Sequence, residues 1–146
     1  MLNDPGRILA IDPGEKRLGI AVSDPTQIIA SPLCVIDHQS RLNDAEAILT
    51  IAKEQNAVLI IVGQPLGWND DSGPQAQKSV RLADEIRKLS SVPVQLWNEY
   101  GSTQAAQAAR RKMNVSRKKR TGHLDDLAAA IILQSFLDTR IDAEDV

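Results

Sequence analysis

Six apolar residues without a break, AVLIIV from Ala57 to Val62, set the strongest limit on how this chain can fold. A strand with one wet face alternates apolar and polar residues, so an unbroken run points to a central strand covered on both faces. The neighbouring segments supply covers. Leu42, Ala45, Ile48, Leu49 and Ala52 recur at helical spacing and predict an amphipathic helix over Asn43 to Gln55. After the run, Gly63 to Gly73 (GQPLGWNDDSG) is a loop dense in turn residues, and Pro74 opens a second helix reaching to about Leu89.

Upstream the period is that of strands. Ile8 to Ile11 is a short apolar run that ends at Asp12 and is broken by Pro13-Gly14; Leu18 to Val22 and Ile28 to Ile36 follow, separated by the turn signal Asp24-Pro25. Three strands with such short connections predict an antiparallel meander. Downstream, Val92 to Trp97 is a further short strand, and Ser102 or Thr103 can cap a helix through TQAAQAARRKM. Leu127 to Leu137 (LAAAIILQSFL) is the most apolar helix and should pack on the sheet, whereas the acidic tail from Ile141 to Val146 is expected to fray. The order β-β-β-α-β-α-β-α-α describes one α/β domain over residues 1–140, with no repeat or linker. Its mixed five-stranded sheet, an antiparallel meander plus parallel strands flanked by helices, has the order of the ribonuclease H-like fold, and the pattern alone also permits a different α/β fold.

Composition removes several function classes. With 42% hydrophobic residues and a net charge of −2, the body of the chain is not disordered. Cys34 is the only cysteine, which excludes an internal disulfide and points to the reducing cytosol. His38 and His123 are too few for a dedicated zinc site. The longest apolar runs are about half a membrane span, and the opening MLNDPGR lacks a signal-peptide pattern. The expectation is a soluble cytoplasmic protein with no membrane partner. Charge is uneven, however. Residues 110–120 (RRKMNVSRKKR) hold 7 basic residues and no acid, leaving 10 basic residues and 19 acids elsewhere. A local +7 on an acidic body is either a solvated helix face or the place where the protein meets a polyanion.

Candidate chemistry begins at strand ends, where α/β proteins place their ligands. Asp12 closes the first strand, with Gly14 allowing a sharp turn and Lys16 and Arg17 supplying positive charge nearby. Its plainer role is to start an Asp-Pro-Gly turn. Glu99 follows the strand ending at Trp97, as a ligand at a neighbouring strand end or as a solvated loop acid. Asp125 and Asp126 open the last apolar helix, where acids commonly serve as caps or meet the positive end of the dipole. Three such carboxylates are also what two-metal phosphodiester chemistry needs, and Mg²⁺ takes oxygen ligands while keeping several waters. Asp70 and Asp71 belong to a turn-rich loop and read as solvated. Trp68 either stacks on an unpaired base or packs under its loop. Trp97 reads as core, Cys34 as an inert buried thiol and His123 as a surface histidine.

The stretches IDPGEKRLGIAVSD, VGQPLGWNDDSG, NEYGSTQAA and DDLAAAIILQSFLD, in that order from Ile8 to Asp138, resemble the YqgF family. This bacterial set of ribonuclease H-like proteins is described as Holliday-junction-resolvase-like and as nucleases maturing precursor 16S ribosomal RNA. The resemblance implies an endonuclease dependent on Mg²⁺ or Mn²⁺, acting on precursor ribosomal RNA at the 5′ end of 16S or on branched DNA, as a monomer or homodimer. Carried over residue by residue, it implies that Asp12, Glu99 and Asp125 are the catalytic and metal-binding acids. Asp125 rather than Asp126 fits the family order of acid, any residue, apolar residue, Ala-Ala. Lys16, Arg17, Arg110, Arg111, Lys112, Arg117, Lys118, Lys119 and Arg120 are then the nucleic-acid contacts. Where the family has Asp-Glu-Arg, this chain has Asn98-Glu99-Tyr100, one acid and one arginine fewer. A non-catalytic nucleic-acid-binding module of the same fold is the alternative those changes permit. An ATPase of the actin and hexokinase type shares a similar phosphate loop but needs two related domains, and 146 residues supply one.

Overall fold

The computed structural model of the chain describes residues 5–64, 73–98 and 124–144. The strands are β1 (Arg7–Pro13), β2 (Arg17–Ser23), β3 (Ala30–Asp37), β4 (Ala57–Gln64) and β5 (Val94–Asn98). Three helices lie among the described residues: α1 (Arg41–Glu54), α2 (Pro74–Leu89) and α3 (Leu124–Glu144). The sheet order is β3-β2-β1-β4-β5. β1, β2 and β3 form the antiparallel meander, while β4 runs parallel to β1 and β5 parallel to β4. The mixed sheet read from the sequence is therefore the one formed. The helix expected after Ser102 lies outside the described residues.

Alternation along the strands divides the core in two. Leu9 and Ile11 of β1, Leu18 and Ile20 of β2, and Ile60 and Val62 of β4 pack with Ala45 and Ile48 of α1 and Leu82, Ala83 and Ile86 of α2. Ile8, Ala10, Ala21 and Ile61 face the other way, onto Ala129, Ile132, Leu133, Phe136 and Leu137 of α3. Residues 60 to 62 are wholly buried, the physical content of the unbroken apolar run. β3 is an edge strand, and this lets Pro32, which cannot donate to a ladder, sit inside it opposite Ala21 at a register shift. Its edge position also leaves Cys34 only partly buried rather than enclosed.

Element ends follow local chemistry. α1 starts two residues earlier than the spacing alone predicts, because the Ser40 hydroxyl caps it by accepting from the Asn43 N–H at 3.1 Å. β5 starts two residues later than expected. Val92 is held in a turn by Ser90, whose hydroxyl accepts from its N–H at 2.8 Å, and Pro93 follows. α3 continues to Glu144 through most of the tail expected to fray, since neither Gly nor Pro interrupts it.

Between β2 and β3 one carboxylate organises the turn. Asp24 accepts from the N–H groups of Thr26 at 3.0 Å, Ile28 at 2.8 Å and Ile29 at 2.7 Å, and from the Thr26 hydroxyl. Burial pushes its carboxyl up, but the bonds from Ile29, Thr26 and Ile28 together outweigh that and hold it well below the ordinary carboxylate range. A group lowered in the folded state binds fewer protons there than in the unfolded chain. Its stabilisation is complete above the unfolded value of about 4 and is lost as pH falls from there toward the folded value. Urea denaturation over about pH 3 to 6 should show wild-type stability declining in the acid part of this window, and Asp24→Asn declining less. Equal slopes for the two proteins would remove Asp24 as the source.

Candidate active site

Parallel pairing puts the carboxyl ends of β1, β4 and β5 side by side. Ile11 pairs with Val62, Val62 with Leu96, and Gln64 with Asn98. Asp12 is one residue beyond Ile11 and pairs with Gly19 on β2. By strand alternation it belongs to the face of Ile8 and Ala10, the face that α3 covers. It is partly buried.

The direction of α3 sets the level at which its first turn lies. Gln134 accepts from the Ala30 N–H at 2.9 Å and donates to the Ile28 carbonyl at 3.0 Å. Ala30 pairs with Ser23, whose hydroxyl accepts from the Ile8 N–H at 2.9 Å, so Gln134 stands level with the start of β1. Further toward the helix C-terminus, Arg140 donates to Gln27 at 3.0 Å, so α3 runs antiparallel to β1. From Ile8 to Asp12 the strand advances about 13 Å. From 134 back to 125 the helix covers about 13.5 Å. The backbone at position 125, in the first turn of α3, thus reaches the level of Asp12.

β5 is fastened to the same helix. The Trp97 indole N–H donates to the Ser135 hydroxyl at 3.0 Å, and its ring meets Phe136 edge-on at 5.2 Å. Trp97 is core-facing, as expected, with its polar end satisfied. Glu99, the residue after β5, lies outside the described residues, as do Arg110, Arg111, Lys112, Arg117, Lys118, Lys119 and Arg120. Trp68, Asp70, Asp71 and His123 also fall outside them. Lys16 and Arg17 are exposed on the turn that follows Asp12, with Arg17 opposite Asp37. Among the described residues no three His, Cys, Asp or Glu side chains form a metal-binding group. Asp12 offers hard carboxylate oxygen at a strand end, the donor type that suits Mg²⁺ or Mn²⁺.

Two supports of Asp12 had no strong sequence signal. The Gln75 side-chain amide donates to the Pro13 carbonyl at 2.8 Å, tying the first turn of α2 to the end of β1 across 62 residues. Gly14 donates its N–H to the Arg17 carbonyl at 2.9 Å, and a Cβ there would meet that same oxygen at 2.4 Å. Asp-Pro-Gly predicts a turn; only the fold reveals how closely the backbone returns on itself.

The chain matches the family model RuvX, described as Holliday junction resolvase, over residues 6–139. It is 39% identical over 140 residues to a protein of Roseiflexus sp. (strain RS-1) named "Putative pre-16S rRNA nuclease", covering 96% of this chain and 99% of that one. A protein of the same name from Clostridioides difficile (strain 630) is 36% identical over 138 residues, with coverages of 94% and 98%. In fold the chain is similar to Thermus thermophilus RuvC in complex with a Holliday junction substrate, with a TM-score of 0.62 at 18% identity over 93% of this chain and 96% of that one. The fowlpox virus Holliday junction resolvase gives a TM-score of 0.54 at 16% identity over 91% and 99% of the two chains.

Gly14 is the position where the site is most exposed to a small change. Gly14→Ala should destabilise the protein by about 1–3 kcal/mol, the usual cost of forcing an atom into filled space. A lower urea midpoint at unchanged slope is the expected reading. A midpoint equal to wild type would mean that the turn opens freely.

Proposed function

The chain belongs to the RuvX family and is a nuclease, and we propose that it is a metal-dependent endonuclease trimming precursor 16S ribosomal RNA at its 5′ end. The carrying observation is Asp12 at the carboxyl end of the buried central strand, with the first turn of α3 brought level with it. Asp12, Glu99 and Asp125 are the proposed metal ligands, contributed by β1, the residue after β5 and α3. Bound there, Mg²⁺ or Mn²⁺ would supply activation of the attacking water and relief of charge on the departing oxygen. The protein's own part is to hold Asp12 rigidly, through the paired strand, the Gly14 turn and the Gln75 tether. Lys16 and Arg17 add positive charge beside the carboxylate, where the substrate phosphates would lie.

The names of the Roseiflexus and Clostridioides relatives favour precursor ribosomal RNA. The description of the family model favours a second reading, cleavage of a four-way DNA junction. A resolvase of that kind would work as a symmetric dimer, whereas an RNA-trimming nuclease can act as a monomer. Asn98 in place of the family acid supports a third, a module that binds nucleic acid without cutting it. Residues 1–140 form the proposed nuclease domain, working in the cytoplasm. No described helix is long and apolar enough to cross a membrane.

Purified protein with Mg²⁺ or Mn²⁺ should cut precursor ribosomal RNA at mapped positions and leave a four-way junction intact. The reverse result would establish the second reading, and binding without cuts the third. Asp12→Asn should lower cleavage by at least about 10²-fold with the fold retained, as for other groups that stabilise transition-state charge. Asp125→Asn should be more damaging than Asp126→Asn. Near wild-type cleavage by Asp12→Asn would take Asp12 out of the mechanism.

The basic run is tested separately from the chemistry. Each phosphate contact contributes about −0.9 to the slope of log affinity against log salt on duplex DNA, and a helical segment turns some of seven charges away. Replacing Arg117, Lys118, Lys119 and Arg120 with Ala should flatten the slope by about 2–4 units and leave cleavage per bound complex nearly unchanged. Identical slopes would mean the run only solubilises a surface segment.

A further inference from the structure

On the opposite face of the sheet from Asp12, a cleft of about 210 Å³ opens between the β1–β2 turn, α1 and α2. Its floor is Leu18 and Leu82, and its polar wall includes Glu15, His38, Arg41, Asp44 and Lys78. Asp44 is only 4% exposed, and its carboxylate is fully engaged. One oxygen meets His38 Nδ1 at 2.5 Å and the other accepts from the Gln39 N–H at 3.0 Å. A buried carboxylate on Nδ1 fixes the orientation of the ring and leaves Nε2 as its remaining polar atom. The imidazole is itself 44% exposed. The backbone ties this pair to the catalytic turn, since the His38 N–H donates to the Lys16 carbonyl at 2.8 Å.

Two cations complete the wall from two different helices. Among the described residues neither Arg41 nor Lys78 has an ion-pair partner. With His38 neutral the cleft balances Arg41 and Lys78 against Asp44 and Glu15; with His38 protonated it carries one net positive charge. The volume is below the roughly 300 Å³ at which drug-sized ligand pockets begin. It suits one phosphate group with its ester oxygens, not a whole nucleoside.

From the buried pair, the two cations that have no ion pair among the described residues and the size of the cleft, we infer that it is an anion subsite holding a single phosphodiester group. Arg41 and Lys78 contact the phosphate, joined by His38 Nε2 when it carries a proton, and Asp44 positions the His38 ring. The subsite is reached from the Asp12 side by way of Pro13 and Gly14, which line the cleft. A strand lying at the carboxyl end of β1 would cross that turn and lodge a phosphate away from the cut. The choice of a phosphodiester as the occupant rests on the nuclease reading above; the anion subsite does not.

Dimethyl phosphate is a suitable probe, since it is a phosphodiester with a single fixed charge, and inorganic phosphate serves as the competing source. NMR of the intact protein should show dimethyl phosphate moving the His38 ring signals. The exposed double change Arg41→Gln with Lys78→Gln should weaken this binding about tenfold. In the absence of divalent ions, a fluorescent dodecamer RNA should bind the double variant about 3–10-fold more weakly, with a salt slope about 1–2 units flatter. Ring signals unmoved by either probe, together with wild-type RNA binding by the double variant, would overturn the subsite and leave the nuclease reading intact. Movement by inorganic phosphate alone would overturn the assignment to nucleic acid. Failure of Asp12→Asn to affect cleavage would overturn the nuclease site while leaving the response of His38 to dimethyl phosphate unchanged.

Discussion

Strand β1 is hydrogen-bonded on both edges and covered on both faces, and the positions of the other elements follow from that double enclosure. Ile8, Leu9, Ala10 and Ile11 are all fully buried. Their alternating side chains belong to two separate cores, one under α1 and α2 and one under α3. Each of the isoleucine and leucine side chains contributes roughly 1.5–3 kcal/mol, and Ala10 less. A net stability of about 5–15 kcal/mol for an ordinary domain leaves little room for a register error here. A slip of one residue would exchange the two faces and carry Asp12 from the α3 side to the α1–α2 side.

That geometry divides the carboxyl end of β1 into two chemically different places. Asp12 lies on the α3 face, level with the first turn of that helix. Pro13, Gly14 and Glu15 line a cleft on the other face, where Asp44 and His38 form a buried-to-exposed pair. The tight return at Gly14 and the Gln75 tether hold both places to one short turn. A ligand long enough to reach both faces would have to pass over it. A nucleic-acid strand has that reach, and its phosphate spacing of several ångströms allows one group at the scissile position and another beyond the turn.

The family membership and the fold have separate grounds. Relatives at 36–39% identity across nearly the whole chain establish the family. Resolvases at 16–18% identity show that a fold of this kind persists with few residues in common. Sheet pairing and two-sided burial can be met by many apolar sequences. Asn98 shows that the pairing does not depend on the side chain, since it completes β5 opposite Gln64 with an amide in place of a carboxylate.

The strand and helix order, the central place of the AVLIIV run and the turn after Asp12 were legible in the sequence, because hydrophobic period and turn residues act locally. Boundaries shifted where a single side chain intervened, as at the Ser40 cap and the Ser90 turn. In the sequence the candidate site is a set of acids without a geometry. Asp12, at the end of β1, and position 125, at the start of α3, come level only because α3 runs antiparallel to β1 and Gln134 pins it beside Ala30. The His38–Asp44 pair follows the same logic on a smaller scale. The two residues are six apart, but Asp44 becomes buried only when α1 closes on the sheet. Burial raises the cost of leaving a carboxylate unpaired, so the tertiary packing turned a polar residue in a helix's first turn into a fixed partner for an imidazole.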